Sequence, residues 1–239
     1  MDKDLAEFVK RLRDSAGENL KSVILFGSSV TGEFQAQHSH LNLLCIVEHA
    51  DVAQLDALQP VVDWWLRKGN PEPRIFTSEE LKRSADIFAI EFLDMKERHR
   101  VLFGEDVLNK LSVPLRYHKL QVERELRTNS LRLRQTILAA PSKVKARLGI
   151  MVASVSSFTA LFRHALIALG EPPAADKRDA VDRIARIADG NPNGFLTILD
   201  FREGKRKENE IEVAETLKNY VELIEKVTNE VDRRLDAGA

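Results

Sequence analysis

The run LNLLCIVE at 41–48 is apolar at alternating and intervening positions alike, so as a strand it has no face to offer to water. Such a strand must lie inside a sheet covered by helices on both sides, which points to an α/β layered unit. SVILFG at 22–27, stopped by a glycine, reads as a companion strand, and PRIFT at 73–77 as a third. The covering helices follow from spacing. Residues 2–16 place Leu5, Phe8, Val9 and Leu12 on one face. Residues 50–69 carry Val52, Leu55, Leu58, Val62, Trp65 and Leu66 at helical intervals, with Pro60 predicting a kink or a break and Trp64 and Trp65 reading as rim and core. Thr77 or Ser78 ahead of EELKRS is a capping-box start. The stretch 86–106 reads as a helix passing into a short strand or turn at VLFG. The α/β unit is expected to run from 1 to 113.

From 114 to 239 an all-α bundle is expected. Residues 116–139 contain no Gly or Pro and place Leu126, Leu133 and Ile137 on one stripe, widened by Leu131 and Leu138. Residues 142–170 form a second long helix whose predicted buried side is Val144, Leu148, Met151, Val155, Phe158, Leu161, Phe162 and Leu169, closed by Gly170 and two prolines. A shorter helix fits 176–188, GNPNG turns the chain, and 202–210 is a polar loop. The last helix repeats Ile211, Ala214, Leu217, Val221, Ile224, Val227, Val231 and Leu235 every three or four residues. Four or five amphipathic helices with short links make an antiparallel bundle.

The 239 residues are 44% hydrophobic, enough for a real core, and the formal net charge is -1, so no global argument for a nucleic-acid or membrane partner exists. The charge is uneven: -5 over 1–113, +8 over 114–170 and -4 over 171–239. Arg116, Lys119, Arg124, Arg127, Arg132 and Arg134 make the first bundle helix either a wall facing an anionic ligand or a solvated face paired with Glu123, Glu125 and the acidic last helix. The single cysteine, Cys45, lies in the central apolar run and reads as a packing residue. His118 and His164 read as helix-face residues. The amphipathic N-terminus has no signal-like apolar region, and no run approaches the ~18 apolar residues of a membrane span, so a cytoplasmic location is expected.

Gly27 ends a strand and allows a tight turn, and Ser28 and Ser29 then open a helix whose free N–H groups can hold a phosphate. GSSVTGE (27–33) followed by SHLNLLCIV (39–47) resembles the signature of the polymerase-beta-like nucleotidyltransferase superfamily: Gly-Ser, a short helical turn, a glycine, then Ser-Asp-x-Asp-Leu at the next strand. The α/β unit followed by a bundle is similar to small bacterial two-domain members of the kanamycin-nucleotidyltransferase kind, and RIFTSEELKRSADIFAIEFLDMKERHRVLFGEDVL (74–108) has the same wording. The resemblance implies a nucleotide-binding turn at Gly27, Ser28, Ser29, Gly32 and Ser39, and a helical domain closing over it with Arg116 and Lys119 toward phosphates. It also implies two metal-binding carboxylates at positions that here read His40 and Asn42. Imidazole is a poor ligand for Mg²⁺, and an amide oxygen offers a dipole in place of a charge. The third carboxylate of the family comes from a later strand; the equivalent here offers Glu72 at its edge and a basic Arg74 within it, while Glu91 and Asp94 could face the cleft or the surface. His38 and His40 form a His-x-His pair that could bind Zn²⁺ with one further ligand, but a metal site is not expected.

The expectation is therefore a degenerate nucleotidyltransferase-fold protein of bacterial type, a pseudoenzyme with weak or no Mg²⁺ binding, acting in regulation or in binding ATP, GTP or another small phosphorylated ligand. Two alternatives stand beside it. One is an active transferase of AMP or another NMP to a small molecule, protein or RNA with an unorthodox site; the other is a non-catalytic, antitoxin-like interaction module. Homodimerisation is compatible with the long striped helices, and nucleic acid is the less favoured partner.

Overall fold

At the centre of the sheet lies β1 (Leu20–Phe26), hydrogen-bonded antiparallel to β2 (Asn42–Val47) on one side and to β4 (His99–Gly104) on the other. β3 (Arg74–Thr77) pairs parallel to the outer side of β2, giving a mixed sheet of order β3-β2-β1-β4. The computed structural model describes residues 2–30 and 41–236, and the chain divides into two compact units, Met1–Leu115 and Arg116–Ala239. The run 41–48 is thus an interior strand with both faces covered. The segment at 99–104 is a full strand and not a turn, with Leu102 as the extra residue where its register slips against β1 between Val23 and Ile24.

One face of the sheet presents Val23, Leu25, Leu43, Cys45 and Val47 to α1 (Asp2–Ala16) and α2 (Val52–Arg67), where they pack with Leu5, Phe8, Leu12, Leu58, Val61 and Trp65. The other presents Ile24, Leu44 and Ile46 to α3 (Ser78–Arg83), α4 (Ala89–Glu97) and α5 (Val107–Lys110) through Leu81, Phe92, Met95 and Leu108. Each such side chain taken out of water contributes about 1.5–3 kcal/mol before chain entropy is counted. α2 runs unbroken through Pro60, and its buried stripe is Leu58, Val61 and Trp65; Val52, Leu55 and Leu66 are exposed. Trp65 is sealed in, with its indole N–H donating to the Pro71 carbonyl at 3.1 Å and Phe8 4.8 Å away, whereas Trp64 stays at the rim beneath Arg11. α3 has the predicted capping box, with Thr77 and Glu80 bonding each other's backbone N–H.

The second unit holds five helices among the described residues: α6 (His118–Ala139), α7 (Val144–Ala168), α8 (Lys177–Ile187), α9 (Asn193–Arg202) and α10 (Val213–Asp236). α9 starts inside the predicted GNPNG turn and continues through 195–201, where the sequence pattern predicted no element. α6 buries Val122, Leu126 and Leu133, while Leu131 and Leu138 point outward, and Val144 of α7 is likewise exposed. On α10 the buried seam follows Tyr220, Leu223, Ile224, Val227 and Val231; Ala214 is exposed, Leu217 and Val221 are half-buried, and the Leu235 side chain falls outside the described residues. α7 is by length and composition able to cross a bilayer, contrary to the expectation of no such stretch, but 56% of that stretch is buried inside the fold. Its Phe158 and Phe162 meet Phe195 of α9 and Tyr220 of α10, the last two stacked at 4.0 Å, and the Tyr220 hydroxyl bonds Ser154 at 2.9 Å.

Candidate functional site

Because β1 runs against β2 and β4 while β3 runs with β2, the end of β1 and the starts of the other three strands share one end of the sheet. His99, Phe26 and Asn42 stand in one row across β4, β1 and β2, and opposed residues share a face. Arg74, opposite Leu44, joins that face, since Leu44 and Asn42 are two residues apart.

The turn after β1 depends on Gly27. Its φ of +87° is left-handed, its N–H donates to the Arg98 carbonyl and its own carbonyl accepts from the Val30 N–H, both at 3.1 Å. A Cβ at this position would stand 3.3 Å from Asn42 Nδ2, so the turn and the start of β2 are in close approach. The expected helix opening at Ser28 is, in its described part, a single 3-10 turn over Ser28–Val30, too short to lend a macrodipole. Within it Ser29 is 6% exposed and its hydroxyl has no hydrogen-bond partner among the described residues. Leaving a buried hydroxyl unpaired costs about 1–3 kcal/mol, a cost that a bound acceptor removes.

Asn42 is half-buried at the first position of β2. Arg74 is exposed, and its guanidinium carbon lies 5.7 Å from the centre of the Phe26 ring. β2 lies between β3 and β1, so the Arg74 side chain and the Phe26 ring approach each other over that strand. Its charged end is therefore directed toward the Phe26 and Asn42 end of the sheet, and no carboxylate pairs with it among the described residues. On the other flank His99 Nδ1 lies 3.1 Å from the Lys96 carbonyl, and Nε2 lies 3.1 and 3.2 Å from the two Asp106 oxygens. Burial works against the Asp106 carboxylate, but the Asn109 N–H at 3.0 Å and His99 outweigh it and hold the carboxyl below its ordinary range. This pair was not foreseen, since nothing local links a histidine to an aspartate seven residues on across two elements.

Gly32, Ser39 and His40, with His38, lie outside the described residues, as does the side chain of Ser28. Among the described residues no group of three or more His, Cys, Asp or Glu could hold a metal. Glu72 is exposed ahead of β3, and Glu91 and Asp94 lie on α4. In the second unit His118 and His164 lie on buried faces of α6 and α7: both are 1% exposed and bond each other, Nε2 to Nδ1, at 3.1 Å. Part of the basic α6 face is neutralised at home, Arg127 by Glu123 at 2.6 Å and Asp232 at 3.0 Å, and Arg134 by Glu225 at 2.8 Å. Arg116 stacks on Tyr117 at 4.8 Å, and Lys119 is exposed in the first turn of α6. Cys45 is buried, and burial pushes its thiol up to about 12, which fits a packing residue.

No family model matches the chain, and no curated protein matches its sequence. Among solved structures it is similar to spectinomycin adenyltransferase AAD(9) from Enterococcus faecialis, solved with ATP and spectinomycin, at a TM-score of 0.57 and 14% identity over 97% of this chain and 99% of that one. This likeness shows the nucleotidyltransferase-like two-domain fold. A structure of the toxin-antitoxin pair MntA-HpeT, in mutant form, aligns over 53% of this chain and 97% of that one at 17% identity and a TM-score of 0.33.

Proposed function

We propose that this chain uses the nucleotidyltransferase fold to bind nucleotide and does not carry out the metal-dependent transfer that the fold supports elsewhere. The observation that carries this reading is Asn42, a neutral amide at the start of β2, against the Gly27 turn, where the resemblance places a metal-binding carboxylate. The nucleotide turn of this reading is Gly27, Ser28, Ser29, Gly32 and Ser39, and the two altered metal positions are His40 and Asn42. The solved structure with the same fold was obtained with ATP, which supports a nucleotide as the ligand class.

The residues present do not fit Mg²⁺. At an effective dielectric near 20, each carboxylate exchanged for a neutral group forfeits on the order of 4 kcal/mol of attraction for a unit charge at about 4 Å, and more for a divalent ion. The β3 position facing Asn42's strand adds a cation, Arg74.

Calorimetric titration with ATP and GTP, in EDTA and in Mg²⁺, tests the reading together with a labelled-AMP transfer assay. Binding without transfer is expected, and His40→Asp combined with Asn42→Asp introduces Mg²⁺ dependence. Absence of heat with every nucleotide removes the binding function; transfer by the wild type that is lost in His40→Ala removes the impairment.

A further inference from the structure

Resting on that reading, we propose that Arg74 is the phosphate-binding group of the site, and that the site takes a nucleoside triphosphate as the free polyanion and not as its magnesium complex. Asn42, Ser29 and Arg74, at the Gly27 turn and at the starts of β2 and β3, can each donate a hydrogen bond. Asn42 turns its Nδ2 toward Gly27, Ser29 holds a buried hydroxyl with no partner among the described residues, and Arg74 directs five N–H donors and a permanent charge toward the Phe26 ring. On the opposite flank the Asp106 carboxylate is engaged by His99 and by the Asn109 N–H and forms no ion pair with the guanidinium. Donors with a positive charge, and no group of three metal ligands among the described residues, favour anions over cations.

Geometry adds a reason for arginine over lysine. The guanidinium is a planar fork that meets two phosphate oxygens at once, and its seat beside the Phe26 ring limits its freedom before a ligand arrives. A polyphosphate over this turn would find in Arg74 the counter-charge that metal ions supply where carboxylates line the strand.

The test uses the full chain, ATP and inorganic triphosphate as probes, and titration in EDTA and in excess Mg²⁺. Wild type is expected to bind ATP in EDTA at least as tightly as in Mg²⁺, with triphosphate competing. Arg74→Ala weakens binding in EDTA about 10- to 100-fold, the range for a charge-assisted contact. Arg74→Lys recovers part of the loss, which separates loss of charge from misfolding, and Arg74→Glu abolishes binding in EDTA while restoring some in Mg²⁺. Unchanged affinity in Arg74→Ala, or wild-type binding only with Mg²⁺, overturns the role of Arg74 and leaves nucleotide binding standing. Absence of wild-type binding in both buffers overturns the nucleotide reading and this proposal with it.

Discussion

Gly194, near the start of α9, lets that helix approach the backbone of α10 closely, and Gly194→Ala puts a number on the contact. A Cβ there would lie 2.4 Å from the Tyr220 nitrogen, 2.8 Å from its Cα and 2.9 Å from the Asn219 carbonyl carbon, all backbone of α10. Ordinary separations are about 3.5 Å, so the two helices must part by roughly 1 Å. Overpacking of this kind costs about 1–3 kcal/mol, and the shift also loosens the 4.0 Å stack of Phe195 on Tyr220, a pair worth about 0.5–1.5 kcal/mol. Alanine returns at most about 1 kcal/mol in helix propensity, so the clash wins and the variant is less stable by about 1–3 kcal/mol. Gly149→Ala is the control: it is exposed within α7, nothing lies within 4 Å of its Cβ, and only the propensity gain applies. Thermal and urea melts followed by far-ultraviolet circular dichroism should show Gly194→Ala below and Gly149→Ala above the wild type, by about 2–4 °C for each kcal/mol. A Gly194→Ala midpoint at or above wild type would refute the close approach of α9 to α10.

Two further outcomes follow from titrating groups. With its thiol held up to about 12, Cys45 should resist a disulfide reagent in the native chain and react at the rate of unfolding, and stability should fall as pH rises past the ordinary thiol value of 9.0 because only the unfolded chain ionises there; fast labelling in native buffer contradicts this. Asp106 titrates below its ordinary 3.8 in the folded chain, so its contribution is full above that value and is lost as pH falls through the folded one; the urea-midpoint gap between wild type and Asp106→Asn should narrow in acid, and a gap independent of pH counts against the His99–Asp106 interaction.

The parts of this fold that could be read from sequence are those set by local pattern. The doubly apolar run at 41–48 had to be an interior strand, and Thr77 with Glu80 announced a helix start. α9 escaped because Phe195, Ile198 and Leu199 serve neighbours on several sides, α7 and α10 among them, which erases the one-sided stripe that marks an amphipathic helix. α6 has leucines on more than one side, and spacing alone did not decide that Val122, Leu126 and Leu133 face inward while Leu131 and Leu138 do not. Of the kink or break that Pro60 predicts, the break does not occur: Pro60 lies on the exposed side of α2, where water can satisfy the freed carbonyl. At the site, the Gly27 turn was legible as a glycine after a strand. The position of Arg74 beside Phe26, and of Asp106 beside His99, follows from pairing register across distant segments, which no short window contains.

The tryptophans Trp64 and Trp65 both belong to α2 of the first unit, and the two tyrosines, Tyr117 and Tyr220, both belong to the second. The chain thus carries its own pair of segregated optical reporters. Selective tryptophan excitation sees the sheet unit alone, with the buried Trp65 indole as its sensitive member, while circular dichroism is weighted toward the long helices of the second unit. Coincident transitions by the two signals mean that the units melt as one cooperative body, and separated transitions give each unit its own stability without cutting the chain.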